Sequence, residues 1–310
     1  MVDENNRDSQ IAGVHLTHPD RILYPRQGIT KRELALYYQG IADWILPHLQ
    51  GRPLTLVRCP EGQEKECFYQ KHASGSIHES VRRVELREEK GMATYLMADS
   101  LSGLIALVQM GVLELHTWGS RTDKLERPDR LVFDLDPGPG IPWTAVVEAA
   151  HAMRDRLGAL GLNALVKTTG GKGLHVVAPL TRRHDWDDIK GFSKAIAESF
   201  VQEAPKRYTA TMSKAKRKGK IFIDYLRNHR GATTVAAYSS RAAPDAPISA
   251  PIGWDELDAS LGPSQYNIRN LPRRLATLRR DPWQGYEAAR ASILAKTKKE
   301  LARMLASLAT

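Results

Sequence analysis

The middle of the chain contains the sequence Arg130-Leu-Val-Phe-Asp-Leu-Asp-Pro-Gly-Pro-Gly140. Its apolar residues predict a buried β-strand, and the Pro-Gly repeat predicts a turn at the end of that strand. Because side chains alternate along a strand, Asp134 and Asp136 point to one face, while Phe133 and Leu135 point into the core. Two neighbouring carboxylates repel each other unless a cation lies between them. The alternative interpretation is that both acids only cap the turn.

A third acid has a similar setting in Phe222-Ile-Asp-Tyr225, where Asp224 lies within an apolar strand and is costly to bury unpaired. Mg²⁺ and Mn²⁺ prefer hard oxygen ligands of this kind. Asp134, Asp136 and Asp224 therefore predict a catalytic site for two divalent metal ions, Mn or Mg. Two metals about 3.5–4 Å apart stabilise the attacking and leaving oxygens of a phosphoryl displacement.

A glycine-rich loop, Lys167-Thr-Thr-Gly-Gly-Lys-Gly-Leu-His175, lies between two further predicted strands. Consecutive glycines let backbone amides approach an anion, and Thr169, Lys172 and His175 add donors, so the loop predicts a triphosphate site. The spacing is not that of a P-loop, and no helix follows directly. The alternative is a tight hairpin with an exposed lysine.

Composition favours a polyanionic partner, because 45 lysines and arginines against 35 acids give a net charge of +10 over 310 residues. No stretch reaches the roughly 18 apolar residues of a membrane span. The polar, acidic start of the chain is unlike a signal or transit peptide, so we expect a cytoplasmic, nucleoid-associated bacterial protein. Cys59 and Cys67 match no zinc pattern, and we expect no disulfide between them.

Strands and helices alternate irregularly, which predicts an α/β (α+β) domain with a partly antiparallel sheet. The helices are predicted at 30–46, 143–160, 186–202 and 286–308. The strands are predicted at 53–58, 112–116, 130–136, 164–167, 174–179, 222–226 and 233–238, and the apolar run 92–110 is left unassigned. We expect a disordered lead over 1–12, a catalytic domain over 13–285 and a basic amphipathic helix over 286–310, packed against the domain.

Taken together, these stretches resemble the polymerase domain of bacterial ATP-dependent DNA ligase D, a member of the archaeo-eukaryotic primase superfamily that serves in non-homologous end joining. The resemblance runs from about His15 to Arg280. Besides the acids and the loop, it rests on further segments: Gly51-Arg-Pro-Leu-Thr-Leu-Val-Arg58, Phe68-Tyr-Gln-Lys71, Leu115-His-Thr-Trp118, Tyr238-Ser-Ser-Arg241 and Pro251-Ile-Gly-Trp-Asp-Glu-Leu257. It implies a primase-polymerase fold, with mixed and antiparallel sheets flanked by helices and an active site between two subdomains.

The resemblance also implies a role for individual residues. Asp134, Asp136 and Asp224 correspond to the metal-binding triad, and Arg227 organises it. The nucleotide-binding set consists of Thr169, Lys172, His175 and Arg241 at the triphosphate, His116 at the sugar, and Phe68 and Tyr69 at the incoming base and template. The family usually has serine where Thr169 stands. Arg21 and Lys31 correspond to the DNA-binding pocket for a 5′-phosphate.

Each of these roles has a plainer alternative. Phe68 and Tyr69 could be core aromatics, and Arg21 and Lys31 could be solvated surface charges. The basic run 214–220 could be a solvated loop, or it could approach the primer backbone.

The function implied is nucleotidyl transfer. A DNA-directed, primase-like polymerase would add NTPs or dNTPs, with ribonucleotides preferred, to 3′-OH ends or gaps of DNA that carry a 5′-phosphate. Ku and a DNA ligase domain are the candidate protein partners. The alternatives are a primase that starts chains de novo, a non-catalytic module that binds 5′-phosphorylated DNA ends and, more distantly, a two-metal phosphoesterase. The sequence leaves open whether the chain is free-standing or part of a ligase fusion, and which metal it prefers.

Overall fold

The computed structural model describes residues 9–308, and their backbone contacts divide them into two compact units. Unit 1 comprises residues up to 118 together with 235–250 and 266–281. Unit 2 comprises 119–234, 251–265 and the residues from 282 onward. The chain therefore passes repeatedly from one unit to the other, and each unit combines segments that are far apart in sequence.

The described residues contain sixteen strands and seven α-helices. The strands are β1 Gln10–Ile11, β2 Val14–His15, β3 Ile22–Tyr24, β4 Ile29–Thr30, β5 Leu54–Arg58, β6 Phe68–Gln70, β7 Arg82–Glu88, β8 Gly91–Met97, β9 Val112–Trp118, β10 Arg130–Pro137, β11 Leu165–Thr168, β12 Leu174–Pro179, β13 Tyr208–Thr209, β14 Ile221–Asp224, β15 Thr233–Val235 and β16 Pro251–Ile252. The helices are α1 Lys31–Gly40, α2 Ala42–Leu49, α3 Leu101–Gln109, α4 Trp143–Ala159, α5 Trp186–Glu203, α6 Leu271–Thr277 and α7 Ala295–Leu308.

Unit 2 is built on a six-stranded sheet in the order β13-β14-β10-β12-β11-β16. Only the β13–β14 pair is parallel, so the sheet is mixed and largely antiparallel. Phe133 and Leu135 of β10 are fully buried, as the alternation of the sequence predicts. Helices α4 and α5 both pack on β10, which makes β10 the central strand of the unit.

Unit 1 contains an antiparallel sheet in which β9, β5, β8 and β7 are neighbours in that order, with β6 also paired to β5. The start of α1 is as predicted: Thr30 accepts a hydrogen bond from the Glu33 amide, and the Glu33 carboxylate accepts one from the Thr30 amide. This reciprocal capping box satisfies two backbone donors at the helix N-terminus. The mixed α/β fold that the sequence predicts is confirmed.

Several predicted boundaries are wrong. Of the predicted disordered lead, 1–8 lies outside the described residues, but β1 pairs with β2, so order begins before residue 13. The first predicted helix is two helices that meet at Ile41, and α2 continues through Pro47. The C-terminal helix begins at Ala295 rather than 286, although it packs on α5 of its own unit as predicted.

The expectation of no disulfide is also wrong, because the structure contains a Cys59–Cys67 disulfide. The reason is strand register: β5 and β6 form an antiparallel pair in which Arg58 lies opposite Phe68. The next residue outward on each strand is a cysteine, so the two Cα atoms lie 4.3 Å apart. The sequence analysis did not predict β6, and without the pairing of β5 with β6 nothing in the sequence places the two thiols close together.

Membrane-spanning helices were not expected, and within residues 9–308 no helix combines the length and the apolar character that crossing a bilayer requires.

Candidate active site

The acids lie in a row across the sheet of unit 2. Asp134 on β10 is directly opposite Asp224 on β14, and on its other side it is opposite His175 on β12. His175 in turn lies opposite Lys167 on β11. Directly opposed residues in an antiparallel pair have Cα atoms about 4.5–5.5 Å apart. Four adjacent strands therefore place two acids, a histidine and a lysine side by side on one face, with Asp136 one step along the same face.

Two arginines contact the acids. Arg227, in the 3₁₀ turn after β14, places Nε 3.1 Å from Asp224 Oδ2 and Nη2 3.7 Å from Asp134 Oδ2. Arg217 places Nη1 3.3 Å from Asp136 Oδ2. The Leu226 amide also donates to Asp224 Oδ1 at 2.9 Å. Arg227 thus contacts two of the acids that it is predicted to organise. Arg217 contacts the third acid, and the sequence analysis did not single it out.

The electrostatics of the three acids differ. Burial raises the pKa of Asp136, and the charge of Asp134 raises it further. Burial likewise raises the pKa of Asp224, where repulsion from Asp134 adds to the shift and Arg227 opposes it. Burial also disfavours the charged form of Asp134. Its interactions with His175 and with Arg227 outweigh the effect of burial and hold the pKa of Asp134 at about 2. Two carboxylates thus carry a repulsion that a bound cation would relieve.

His175 is buried at 3% exposure, and its Nε2 lies 3.5 Å from Asp134 Oδ1. Burial, together with the charge of Lys167, lowers its pKa to about 4, so the ring is neutral at neutral pH. Its Nδ1 atom is buried and makes no hydrogen bond to the described residues. The predicted proximity of His175 to the acids is present in the structure.

Divalent metals fit this donor set by chemistry: three hard carboxylates share one face, and two of them have raised pKa values. The side chains are not gathered around one point, and among residues 9–308 no three acidic, histidine or cysteine side chains form a cluster at metal-binding distances. Arg227 and Arg217 hold the carboxylates instead. Metal binding at this row would require the carboxylates to exchange arginine partners for the ion.

The glycine-rich loop joins β11 to β12. Thr169 Oγ1 donates to the Gly173 carbonyl at 3.0 Å and accepts from the Gly171 amide at 3.2 Å, so the hydroxyl holds the loop together. Lys172 is exposed at the loop tip, and its charge lowers the pKa of Asp136. A cavity of 300 Å³ opens beside Lys172 and the turn 137–140. The Thr169 hydroxyl is used within the loop, whereas the Lys172 ammonium group is exposed and can reach a ligand.

The basic run 214–220 docks on the turn that follows the acids. The Gly138 amide donates to the Lys220 carbonyl at 2.9 Å, and the Gly219 amide donates to Pro139 O at 3.2 Å. A side chain at Gly138 would place Cβ only 1.8 Å from the Arg217 carbonyl oxygen, so the approach requires glycine. The guanidinium of Arg217 stacks on the Phe222 ring at 3.8 Å. The run is thus anchored beside Asp136 rather than being only a solvated loop.

In unit 1, His116 and Arg241 share a buried acid that the sequence analysis did not select. Glu114 Oε2 lies 2.7 Å from His116 Nε2 and 3.0 Å from Arg241 Nε. The resemblance assigns His116 to the sugar and Arg241 to the triphosphate, so Glu114 brings together one residue of each kind within unit 1. The available sequence signal was a single acid two positions before the histidine, on the same face of an otherwise apolar strand.

The predicted aromatic pair is exposed, at 42% for Phe68 and 74% for Tyr69, so the alternative that both are core residues is wrong. Because they are neighbours on β6, they face opposite ways. Tyr69 lies edge-on to His116 with ring centroids 6.3 Å apart, while Arg58 lies 5.4 Å over the Phe68 ring. Tyr69 therefore shares the face of β9 that carries His116, and Phe68 does not.

The predicted phosphate pocket contains a buried cation. Lys31 is 5% exposed, and its Nζ donates to the Thr17 carbonyl at 2.8 Å. Burial lowers its pKa, and so does the neighbouring charge of Arg21. Arg21 donates to Pro60 O and Glu61 Oε1, both at 3.0 Å. The alternative of a solvated surface lysine is wrong for Lys31, and two adjacent cations remain a fitting place for an anion.

Sequence reasoning missed three charged residues next to the predicted ones: Glu114, Lys167 and Arg217. Lys167 was quoted only as the start of the loop, yet it is buried at 3% on the acid-bearing face. Its signal was a lysine inside an apolar strand, the same kind of signal that selected Asp224. Arg217 carried no local signal, because its position depends on the docking of 214–220 onto the turn.

Comparison with known proteins identifies the family of the chain. Residues 30–283 match the family described as LigD, primase-polymerase domain, which puts the chain in the class of primase-polymerases and implies a nucleotidyltransferase. The chain belongs to the LigD primase-polymerase domain family.

Three similar proteins illustrate the relationship. The multifunctional non-homologous end joining protein LigD of Pseudomonas aeruginosa is 43% identical over 293 residues, covering 94% of this chain and 35% of that protein. The bifunctional protein LigD of Bacillus subtilis is 27% identical over 263 residues, covering 84% and 42%. The solved polymerase domain of Mycobacterium tuberculosis ligase D in complex with DNA has a TM-score of 0.80 and 34% identity, covering 87% of this chain and 98% of that one. The chain thus spans roughly a third to two-fifths of the length of the two curated relatives, from Pseudomonas aeruginosa and Bacillus subtilis.

Proposed function

We propose that the chain is a DNA-end-processing polymerase of non-homologous end joining, which transfers a nucleoside monophosphate from an NTP to a 3′-hydroxyl. The observation that carries the proposal is the row of Asp224, Asp134 and His175 across three adjacent strands. The family match and the likeness to a polymerase domain solved with DNA support it.

The acids are proposed to hold two divalent cations, Mn²⁺ or Mg²⁺. When bound, the cations would supply Lewis-acid stabilisation of the attacking and leaving oxygens. The chain's own residues orient the carboxylates and neutralise the charge of the triphosphate. Lys172, exposed at the tip of its loop, contributes a positive charge for the triphosphate, and Arg227, which contacts Asp134 and Asp224, orients these two carboxylates. His175 is proposed as a triphosphate contact, since it lies beside the acids in the same row across the sheet.

Recognition of the nucleotide and DNA is proposed for residues of unit 1. His116 is assigned to the sugar, with a preference for ribonucleotides, and Arg241 to the triphosphate. Tyr69, with three quarters of its surface exposed, offers a stacking face for a base, a contact typically worth roughly 1–3 kcal/mol. Lys31 and Arg21 are assigned to the 5′-phosphate. Ku and a DNA ligase domain are proposed as partners, in a cytoplasmic, nucleoid-associated setting.

The proposal is tested by extension of a primer across a one-nucleotide gap with a 5′-phosphate, supplied with UTP or dTTP and with Mn²⁺, Mg²⁺ or a chelator. The wild-type chain is expected to add UTP more efficiently than dTTP, and to add neither when the metal is chelated. Asp136→Ala is expected to abolish addition while DNA-end binding remains. The matched control is Asp155→Asn, a change at an exposed acid on α4 that should extend as the wild type does.

Wild-type addition rates in Asp136→Ala would contradict the assignment of the acids. A clear preference for dTTP would contradict the sugar assignment alone. A primase that starts chains de novo would make product from single-stranded template and NTPs without a primer. A non-catalytic end-binding module would bind 5′-phosphorylated ends but incorporate nothing at any metal concentration.

A further inference from the structure

Glu114 is a buried acid on β9 that holds two side chains, His116 and Arg241, with one carboxylate oxygen. Its Oε2 lies 2.7 Å from His116 Nε2 and 3.0 Å from Arg241 Nε, while Oε1 accepts from the Ala242 amide at 2.8 Å. Only 5% of the residue is exposed. Both carboxylate oxygens therefore have partners. Oε2 contacts His116 and Arg241, which are assigned to the nucleotide, and Oε1 holds the backbone of the residue after Arg241.

The charge on Glu114 persists despite burial. Burial disfavours the ionised form, but the hydrogen bond from His116 and the charge of Arg241 lower its pKa to about 2. A buried carboxylate is tolerated only where partners of this kind surround it. Its negative charge is therefore a permanent feature of this face of the sheet at neutral pH.

The segment that carries Arg241 depends on β9 for its position. Ser239 Oγ accepts from the Leu115 amide at 2.9 Å, and Ser240 Oγ donates to the Leu113 carbonyl at 2.7 Å. Immediately before them, Tyr238 has a φ of +68°, a left-handed conformation that is unfavourable for a bulky residue. Such a conformation persists where the surroundings hold it. Here the Tyr37 hydroxyl donates to the Tyr238 carbonyl at 2.9 Å, and the Tyr238 amide donates to the Ser249 carbonyl at 2.8 Å.

We propose that Glu114 is a positioning residue, which fixes His116 and Arg241 as one rigid pair for a nucleoside triphosphate. The inference rests on the proposed function of those two residues. A carboxylate that accepts from one ring nitrogen of a histidine sets both its tautomer and its orientation. The same carboxylate holds the guanidinium at Nε, so sugar recognition and triphosphate recognition become coupled through a single side chain.

Electrostatics and positioning make opposite predictions for the loss of this charge. Glu114 is negative and would lie near a polyanionic substrate, so a role as mere background charge predicts tighter nucleotide binding once it is neutralised. A positioning role predicts weaker binding, because His116 and Arg241 lose the carboxylate that holds both of them. The direction of the change therefore identifies the role.

The experiment compares Glu114→Gln with the wild type in steady-state addition of UTP and dTTP to gapped, 5′-phosphorylated DNA with Mn²⁺. The KM for UTP is expected to rise about tenfold or more, comparable to the loss that follows removal of a carboxylate that orients a metal-bound histidine. The UTP-to-dTTP preference is expected to fall toward that of His116→Ala.

The matched control is Glu88→Gln on β7 of the same sheet. Its pKa is also lowered to about 2, but by hydrogen bonds from Lys71 and Tyr95, neither of which is assigned to the nucleotide. This variant should keep both the wild-type KM and the wild-type preference. A loss of stability alone, measured by thermal unfolding, moves neither of these readouts.

An unchanged or lower KM in folded Glu114→Gln overturns the inference, as does an unchanged sugar preference. If that variant does not fold, Glu114→Asp takes its place: it keeps the charge but is one methylene too short to hold both partners. A wild-type KM in Glu114→Asp likewise overturns the inference. If the wild type adds no nucleotide, the proposed function fails. Binding of a fluorescent NTP without DNA then tests Glu114 separately, with weaker binding expected in the variant.

Discussion

Gly173 lies immediately before β12, the strand that carries His175, and packs against the backbone of β10. A Cβ at this position would lie 2.3 Å from the Leu135 carbonyl oxygen, a separation that real Cβ atoms do not show. Gly171 in the same loop is different, since a Cβ there would meet only Thr169 Oγ1 at an ordinary 3.5 Å. One glycine thus permits the close approach of two strands, while its neighbour serves the turn.

Gly173→Ala is expected to separate β12 from β10 and move His175 away from Asp134. Overpacking of this kind costs about 1–3 kcal/mol, so thermal unfolding should shift down together with a loss of nucleotide addition. Gly171→Ala is the matched control and should retain most of both. Equal stability and activity in the two variants would contradict the close approach.

The three acids that sequence reasoning selected share one property, which is a negative charge within or at the end of an apolar strand. Asp134, Asp136 and Asp224 were found in this way, and the structure places Asp134 directly opposite Asp224. Glu114 carries the same signal, Lys167 carries a positive charge in the same setting, and both were overlooked. Arg217 was included only as part of the basic run 214–220, because its contact with Asp136 depends on that loop docking across the turn.

Among the elements, β10 to β12 and helices α4 and α5 follow closely from their sequence patterns, since strong periodicity and glycine or proline boundaries mark them. The errors fall where tertiary contacts decide. The strand β6 has only three residues, two of them exposed aromatics, so its hydrophobic pattern predicts nothing. Its pairing with β5 is what brings Cys59 and Cys67 together.

The Cys59–Cys67 disulfide closes a loop with a sequence separation of eight residues. In the chain-entropy account, a loop of this length stabilises the folded state by about 2–3 kcal/mol. Reduction with dithiothreitol is therefore expected to lower the free energy of unfolding of the wild type, measured by urea titration.

A double variant, Cys59→Ser with Cys67→Ser, is the control and should unfold at the same urea concentration with or without reductant. The enclosed loop includes Pro60 and Glu61, the partners of Arg21, so reduction should also weaken the preference for 5′-phosphorylated DNA. If the reductant leaves the urea midpoint of the wild type unchanged, the disulfide is absent or does not stabilise the fold.

For the whole molecule, the surplus of ten positive charges favours DNA through counterion release, without regard to sequence. Affinity for DNA is expected to fall steeply as salt rises. Arg21 and Lys31 should contribute beyond this background, since they form a local pair of cations, one of them buried.

Arg21→Ala is expected to reduce the preference for 5′-phosphorylated over dephosphorylated DNA by about tenfold, as a charge-assisted hydrogen bond is worth about 1.5–3 kcal/mol. Arg87→Ala, at an exposed arginine on β7, makes the same charge change and serves as control. It should lower affinity for both DNAs equally. Fluorescence anisotropy over a salt series measures both effects, and an equal loss of preference in the two variants would contradict a specific pocket.

The account depends most on the acids of β10 and β14 acting together as ligands of a divalent cation. Electron paramagnetic resonance of Mn²⁺ measures this most directly, by counting the ions removed from solution by the protein at saturating NTP, beyond those held by NTP alone. The wild type and Asp155→Asn should remove the same number of ions, and Asp224→Asn should remove fewer. Equal removal of Mn²⁺ by Asp224→Asn and the wild type would contradict the account.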